Sequence, residues 1–344
     1  MEAKVTKERI QYIDALRGFT MLLVVFAHVE TYSFQHMENT TFLGELFKIF
    51  RMPLFFFISG FITYRPEGEW TFKNCGIMAA KKLRIQLLPT LILGLLYTYV
   101  CLNQDYVYFF TLPFKAGYWF TISLLEMFLM YYLIRLICEK IRMLRNYKLL
   151  LILLTAIALY TVNTITPLTQ PAYNIASFSL TARYFVFFAL GMIVSNYKET
   201  FFKLLDNGKV MLAVLTLFVA LLIVYKKVEL ASTILVADIT GLVGLVITFA
   251  FFRKYATSFD SSTRLGKSLQ YIGKRTLDIY LLHYFLLPQN LTTLGKFFLE
   301  GQNIVLEFVV VIFLSILIVG VCLLLSNTLR LSSTAAKYLF GVRC

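Results

Sequence analysis

Long runs of apolar residues, each about the length of a membrane crossing and each closed by a short polar or basic stretch, dominate the chain from residue 12 to residue 329. A helix needs roughly 20 apolar residues to cross a hydrocarbon core about 30 Å thick. The runs predict spans at 12–34, 46–64, 85–102, 117–137, 149–164, 181–197, 209–225, 233–252, 276–291 and 303–329. The expected fold is all-α, a polytopic integral membrane protein of about ten transmembrane helices. It reads as one domain over 1–344, with its core at about 9–330. The fifth run is short and the ninth contains Pro288; at these two places the pattern also fits a partly re-entrant segment.

Composition sharpens this by exclusion. Of 344 residues, 59% are hydrophobic and 15% charged, with a mean hydropathy of +0.73, whereas a soluble domain carries about a quarter charged residues. An ordinary water-soluble enzyme is excluded, and the lipid bilayer is the chain's first partner. The formal net charge of +14 would suggest nucleic acid in a soluble protein. Here it is a topology signal, because Lys and Arg gather on cytoplasmic loops, and no nucleic-acid partner is expected. With the N-terminus inside, 25 of the 33 lysines and arginines fall on inside segments and 6 on outside ones, with Arg17 and Arg183 within spans. That asymmetry predicts both termini in the cytoplasm. The first run lacks a small-residue cleavage site and reads as a retained helix. Cys75, Cys101, Cys138, Cys322 and Cys344 are scattered without metal-ligand spacing, so neither a disulfide framework nor a metal site is expected.

An ionisable side chain inside a span costs a few kcal/mol or more, which makes each one a functional candidate. The first span carries the densest set: Asp14, Arg17 and His28. Eleven steps of about 100° bring Arg17 and His28 onto one face, roughly 16 Å apart along the axis. A buried imidazole is suited to take a proton from an attacking hydroxyl, and an arginine near the cytoplasmic end to hold a phosphate or polarise a carbonyl. The same residues also fit an i,i+3 pair between Asp14 and Arg17 that locks the helix end, with His28 as a hydrogen-bonded core residue. In the second span Arg51 falls at a depth comparable with His28, while Ser59 and Gly60 lie toward the cytoplasmic end, there to contact a ligand or to let two helices touch. Lys81, Lys82 and Arg84 place three cations at the mouth of the third span, suited to nucleotide phosphates or to lipid headgroups. His283 lies about 10 Å inside the ninth span. Glu126, Arg183, Asp238 and Glu307 are expected to pair internally, and Trp119 and the tyrosines near span ends to form interfacial belts.

These residues resemble membrane-bound acyltransferase family 3, whose members O-acylate sugars and other surface molecules. The resemblance rests on Asp14-Ala-Leu-Arg17-Gly18 followed by His28, on Met52-Pro-Leu-Phe-Phe-Phe-Ile-Ser-Gly-Phe61, on the basic stretch Lys81 to Pro89, on Tyr118-Trp-Phe120, and on Thr276-Leu-Asp-Ile-Tyr-Leu-Leu-His283. The compact chain looks like the shorter sugar O-acetylase branch. The resemblance implies a ten-helix core, and the absence of any targeting segment fits a bacterial plasma membrane. The resemblance also implies an acyl group, commonly acetyl, taken from cytoplasmic acyl-CoA as co-substrate, with no bound cofactor. A carbohydrate or glycolipid hydroxyl would be the acceptor, with His28 as base and Arg17 positioning the donor. Lys81, Lys82, Arg84 and Ser59 would assist at the donor, and Asp14, Arg51, Glu126 and His283 at the acceptor or in support; Glu126 sits in a Leu- and Met-rich context that departs from the Glu-rich pattern of longer relatives. The rival reading is a transporter or flippase in which Asp14, Arg17, His28 and His283 line a substrate or proton path. The paired Gly/Pro-interrupted spans of inverted-repeat carriers are missing from the first and ninth runs.

Overall fold

Among the described residues, nine helices are long and apolar enough to cross a bilayer. The computed structural model describes residues 10–35, 42–68, 70–166, 171–227, 230–301 and 303–341. Lys4, Lys7 and Arg9, counted above for topology, lie outside the described residues, as do Arg343 and Cys344. Helix α1 (Gln11–His28) continues for one more turn as a π-helix, Val29–Ser33, and α2 spans Phe42–Thr63. Helix α3 (Phe72–Lys82) runs through a π-helical turn, Leu83–Leu87, into α4 (Leu88–Val100). Then come α5 (Trp119–Lys140), α6 (Lys148–Ile165), α7 (Phe178–Asn196), α8 (Gly208–Lys227) and α9 (Leu230–Lys254). The chain closes with α10 (Arg264–Lys274), α11 (Thr276–Leu282) and the long α12 (Ile304–Leu329).

Two expected spans are built differently. The third begins at Phe72 rather than 85, because Thr71 caps it: its hydroxyl accepts the Asn74 N–H at 3.2 Å. Lys81, Lys82 and Arg84 therefore sit within a continuous helical rod and not in a loop before it. The ninth, expected at 276–291, is not one helix. Past Leu282 it tightens into a 3-10 turn, His283–Leu286, and Leu287 is extended at φ −64°, ψ 122°. The residue before a proline is pushed out of the helical region in this way, and Pro288 follows. The segment still travels alongside α1. Thr276 meets Arg17 near the start of α1, and the Leu291 N–H donates to the Ser33 carbonyl at its far end, at 3.2 Å.

Helices in lipid gain little from burying apolar surface against one another, so close backbone approach supplies much of their contact energy. A Cβ on Gly18 would stand 2.0 Å from the Leu269 carbonyl oxygen, and one on Gly273 would stand 1.9 Å from that of Asp14. The contact is reciprocal, so α1 and α10 touch backbone to backbone. Gly60 and Gly191 do the same between α2 and α7, against the carbonyls of Phe188 and Phe57; Gly60 thus serves helix contact. Polar pairs tie the remaining helices. Arg183 in α7 grips Asp238 in α9 through Nη2 at 2.8 Å and Nε at 3.0 Å, and the Tyr160 hydroxyl of α6 donates to the same carboxylate. Asp278 of α11 receives Ser326 and Arg330 at 2.6 and 2.7 Å, which anchors the broken segment to the end of α12.

Gly273→Val should lower thermal stability of the protein in nanodiscs, by about 1–3 kcal/mol, the usual cost of overpacking. Gly320→Val is the control, since nothing lies within 4 Å of its Cβ position, and its melting temperature should stay at the wild-type value. Equal melting curves for the two variants would show that the α1–α10 contact carries no stability.

Candidate functional site

His28 closes the last α-helical turn of α1, and the chain switches to π-helix at the next residue. A π-turn inserts one residue per turn, re-aims the side chains that follow, and is frequent at functional sites. Across from it, α11 runs in the same direction as α1: Arg17 Nη2 donates to Thr276 Oγ1 at 3.2 Å, and one helix face further on His28 Nδ1 lies 2.7 Å from His283 Nε2. The two imidazoles are nearly coplanar in orientation, with 9° between ring planes.

The hydrogen-bond partners fix where the protons are. His283 Nδ1 is 3.0 Å from the Ile279 carbonyl oxygen, which only accepts, so Nδ1 carries the hydrogen. Its Nε2 is then an acceptor, and His28 Nδ1 must donate to it. His28 Nε2 is left with a bare lone pair. That nitrogen lies 3.4 Å from the Tyr284 hydroxyl, which has a closer acceptor in the Gly117 carbonyl at 3.0 Å. Tyr280 donates to the same carbonyl at 2.6 Å, and Tyr118 to that of Leu281 at 3.0 Å. Gly117 has to be glycine. Its φ is +101°, and a Cβ would stand 2.3 Å from the Tyr284 oxygen. Tyr118, Tyr280 and Tyr284 are thus buried around the histidines and not in an interfacial belt. Each hydroxyl has found a backbone acceptor that makes burial affordable. Trp119, also expected in the belt, packs against Tyr184 with centroids 5.6 Å apart.

A cavity of about 40 Å³ is lined by His28, Arg51, Trp119, Phe120 and Tyr280 together with Val24, Met52, Phe55 and Gly117. Arg51 and His28, placed at similar depth by the sequence, do meet there. Several residues expected on the donor side lie at the other end of the α1 face. Asp14 pairs with Arg17 at 3.7 Å, and Lys82 lies close enough to Arg17, Lys81 and Arg65 to feel their charge. Its ammonium rests 3.4 Å above the Phe128 ring. Ser59 is turned onto its own helix, donating to the Phe55 carbonyl at 2.8 Å. Glu126 lies off the cavity, accepting from the Thr181 hydroxyl. Of the expected internal pairs, Arg183 and Asp238 form one, while Glu307 is buried with Oε1 lacking a partner.

The family model for an acyltransferase domain, acyltransferase family 3, matches residues 10–327. The chain belongs to that family. No curated protein and no solved structure matches it. In this family 3 acyltransferase the matched region takes in both histidines, Arg17, Arg51 and the tyrosine shell. Sequence reasoning missed the shell, along with Thr276 and Lys115. Lys115 is one of the 6 cations that the topology assigns to outside segments. Its ammonium is buried, donating to the carbonyls of Phe110, Leu112 and Asn174, and burial pushes its pKa down to about 8. The available signal was the tyrosine placement in Tyr118-Trp-Phe120 and Tyr280-Leu-Leu-His-Tyr284, which puts one aromatic hydroxyl about a turn before His283 and another immediately after it.

The chain has three histidines, so 15N-histidine labelling resolves them individually. His28 and His283 should both appear as neutral Nδ1–H tautomers, and in His283→Ala the His28 signal should move toward the Nε2–H form. An Nε2–H signal for His28 in the wild type would contradict the proton assignment.

Proposed function

We propose that this acyltransferase moves an acetyl group from cytoplasmic acyl-CoA to a hydroxyl of a cell-envelope carbohydrate or glycolipid, in a bacterial plasma membrane. The observation that carries the reading is the proton order of the site: Ile279 carbonyl, His283, His28, and then an unprotonated Nε2 on a residue that lines the cavity. A neutral imidazole held in that tautomer is a general base ready to act. The cluster of Arg17, Lys81 and Lys82 lies toward the end where α1 begins. It supports a polyanionic donor, since guanidinium and ammonium groups are the usual phosphate partners. Arg84 in the adjacent π-turn belongs to the same basic stretch. From Arg17 to His28 the helix rises about 16 Å, a length that a slim pantetheine arm covers while the nucleotide stays at the mouth.

The cavity's size supports a short acyl chain. A water-sized probe needs roughly 10–15 Å³, so 40 Å³ accommodates about three water-sized positions, comparable with the three heavy atoms of an acetyl group. In the transfer step the acceptor hydroxyl gives its proton to His28 Nε2 as its oxygen bonds to the thioester carbonyl carbon. The tetrahedral intermediate then collapses, the C–S bond breaks, and the leaving thiolate takes the proton from His28. His283 accepts the His28 Nδ1–H throughout and stabilises the imidazolium, so it positions the base without touching substrate.

Radiolabelled acetyl-CoA, supplied to purified protein with an envelope-glycan extract, should label glycan with wild type and not with His28→Ala, a loss of about 10²–10⁴-fold. Arg17→Lys keeps the charge and loses the planar fork, and should raise the KM for acetyl-CoA more than it lowers kcat. Full activity in His28→Ala would remove the base assignment. Uptake of glycan into sealed vesicles without any acyl donor would favour transport instead.

A further inference from the structure

Arg51 is the buried charge that the reaction as described leaves unused. It lies in α2, two residues before Pro53, and forms part of the cavity wall shared with His28. Its Nε and Nη1 are both closed off from solvent and have no hydrogen-bond partner. Glu30, on the π-turn that follows His28, is close enough to share its charge, as are the hydroxyls of Tyr32, Tyr184 and Tyr284. Taking a guanidinium out of water costs several kcal/mol, and leaving two donors unmade adds to that cost. A purely structural arginine would have spent those donors, as Arg183 does on Asp238 and Arg135 on the carbonyls of Arg65 and Pro66.

We infer that Arg51 is a catalytic residue that donates hydrogen bonds to the thioester carbonyl oxygen and holds its negative charge in the tetrahedral intermediate. The inference rests on the acyl-transfer reading above and assigns the electrophilic half of it. As the acceptor oxygen bonds to the carbonyl carbon, the C=O π electrons move onto the oxygen. Arg51 Nε–H and Nη1–H stabilise that oxyanion. When the C–S bond breaks the electrons return to re-form the carbonyl, and the CoA thiolate departs with the proton held by His28. Arg51 gains and loses no proton. Preorganised donors in a water-excluded site act in this way because they need no reorganisation as charge develops. An arginine serves here because it stays charged when buried. The same geometry puts the base and the oxyanion donor on opposite helices, α1 and α2, with room between them for the acetyl group and little else.

Two measurements test this on the full-length protein in nanodiscs. The first is kinetic, using acetyl-CoA and the glycan extract. Arg51→Gln and Arg51→Lys should lower kcat by about 10²–10³-fold with KM for acetyl-CoA and for glycan within about threefold of wild type. A kcat near wild type with a raised glycan KM would overturn the proposal and make Arg51 an acceptor-binding residue. The second keeps Arg51 in place and so does not depend on how its variants fold. The carbonyl stretch of [13C]acetyl-CoA bound to His28→Ala should move to lower frequency than in water, and the shift should vanish in the His28→Ala, Arg51→Gln double variant. An unshifted band in His28→Ala overturns the proposal whatever the kinetics show. A wild type that turns over no acetyl-CoA fails earlier, at the donor reading, and takes the role of Arg51 with it.

Discussion

The backbone contact between α1 and α10 is the constraint on which the rest of the site depends. Gly18 and Gly273 each stand where a single added carbon would collide with the other helix's carbonyl. With no side chains between them, the axes approach as closely as helices do, and the register of α11, which restarts after only Arg275, is set against α1. Thr276 then falls on Arg17 and His283 on His28. A hydrogen bond of 2.7 Å between two side chains 255 positions apart in sequence tolerates little sliding. An ordinary residue at either glycine would have to push the two backbones apart.

A membrane interior has no water to satisfy stray polar groups, so each one must be matched or must have a use. Matching is common here, although Gln86 Oε1, Ser123 Oγ and Glu307 Oε1 also lack a partner. Three tyrosine hydroxyls end on backbone carbonyls, Asp238 is held by Arg183 and Tyr160, and Asp278 by Ser326 and two arginines. The lone pair on His28 Nε2 and the two idle donors of Arg51 differ from those unpartnered atoms in belonging to two residues that line one cavity. A base lacking a proton and a guanidinium with two unspent donors are complementary to opposite ends of one reacting system, a hydroxyl attacking a carbonyl.

Much of this architecture was legible in the sequence, because hydrophobic length is the strongest signal a membrane chain carries. The runs at 12–34, 149–164 and 209–225 correspond closely to α1 with its π-turn, α6 and α8. Helical arithmetic put Arg17 and His28 on one face, and both indeed contact one partner helix and the turn that follows it. What periodicity could not supply is the pairing of distant segments. Nothing local to His283 says that it meets His28, and nothing in Tyr284 distinguishes a belt residue from one bound to the carbonyl of Gly117. The ninth run was misread for a related reason. Its apolar length suited a span, but Pro288 fixes Leu287 in an extended conformation and the helix stops well short of the run's end. The start of the third was missed because a threonine cap reads only locally, and α3 has no buried face to announce it.

The ninth segment changes character at His283. The α-helical part of α11 ends at Leu282, and a 3-10 turn starts at His283 itself. The Ile279 carbonyl takes the His283 backbone N–H and, with its second lone pair, the Nδ1–H at 3.0 Å. The histidine thus donates back into its own helix and keeps Nε2 as an acceptor aimed at α1. On the facing side the π-turn after His28 loosens the chain at the matching position. Two departures from regular helix, one tighter and one wider, therefore meet across a single hydrogen bond. Their combined effect is to hold His28, a residue of the cavity wall, in the tautomer whose Nε2 carries no proton.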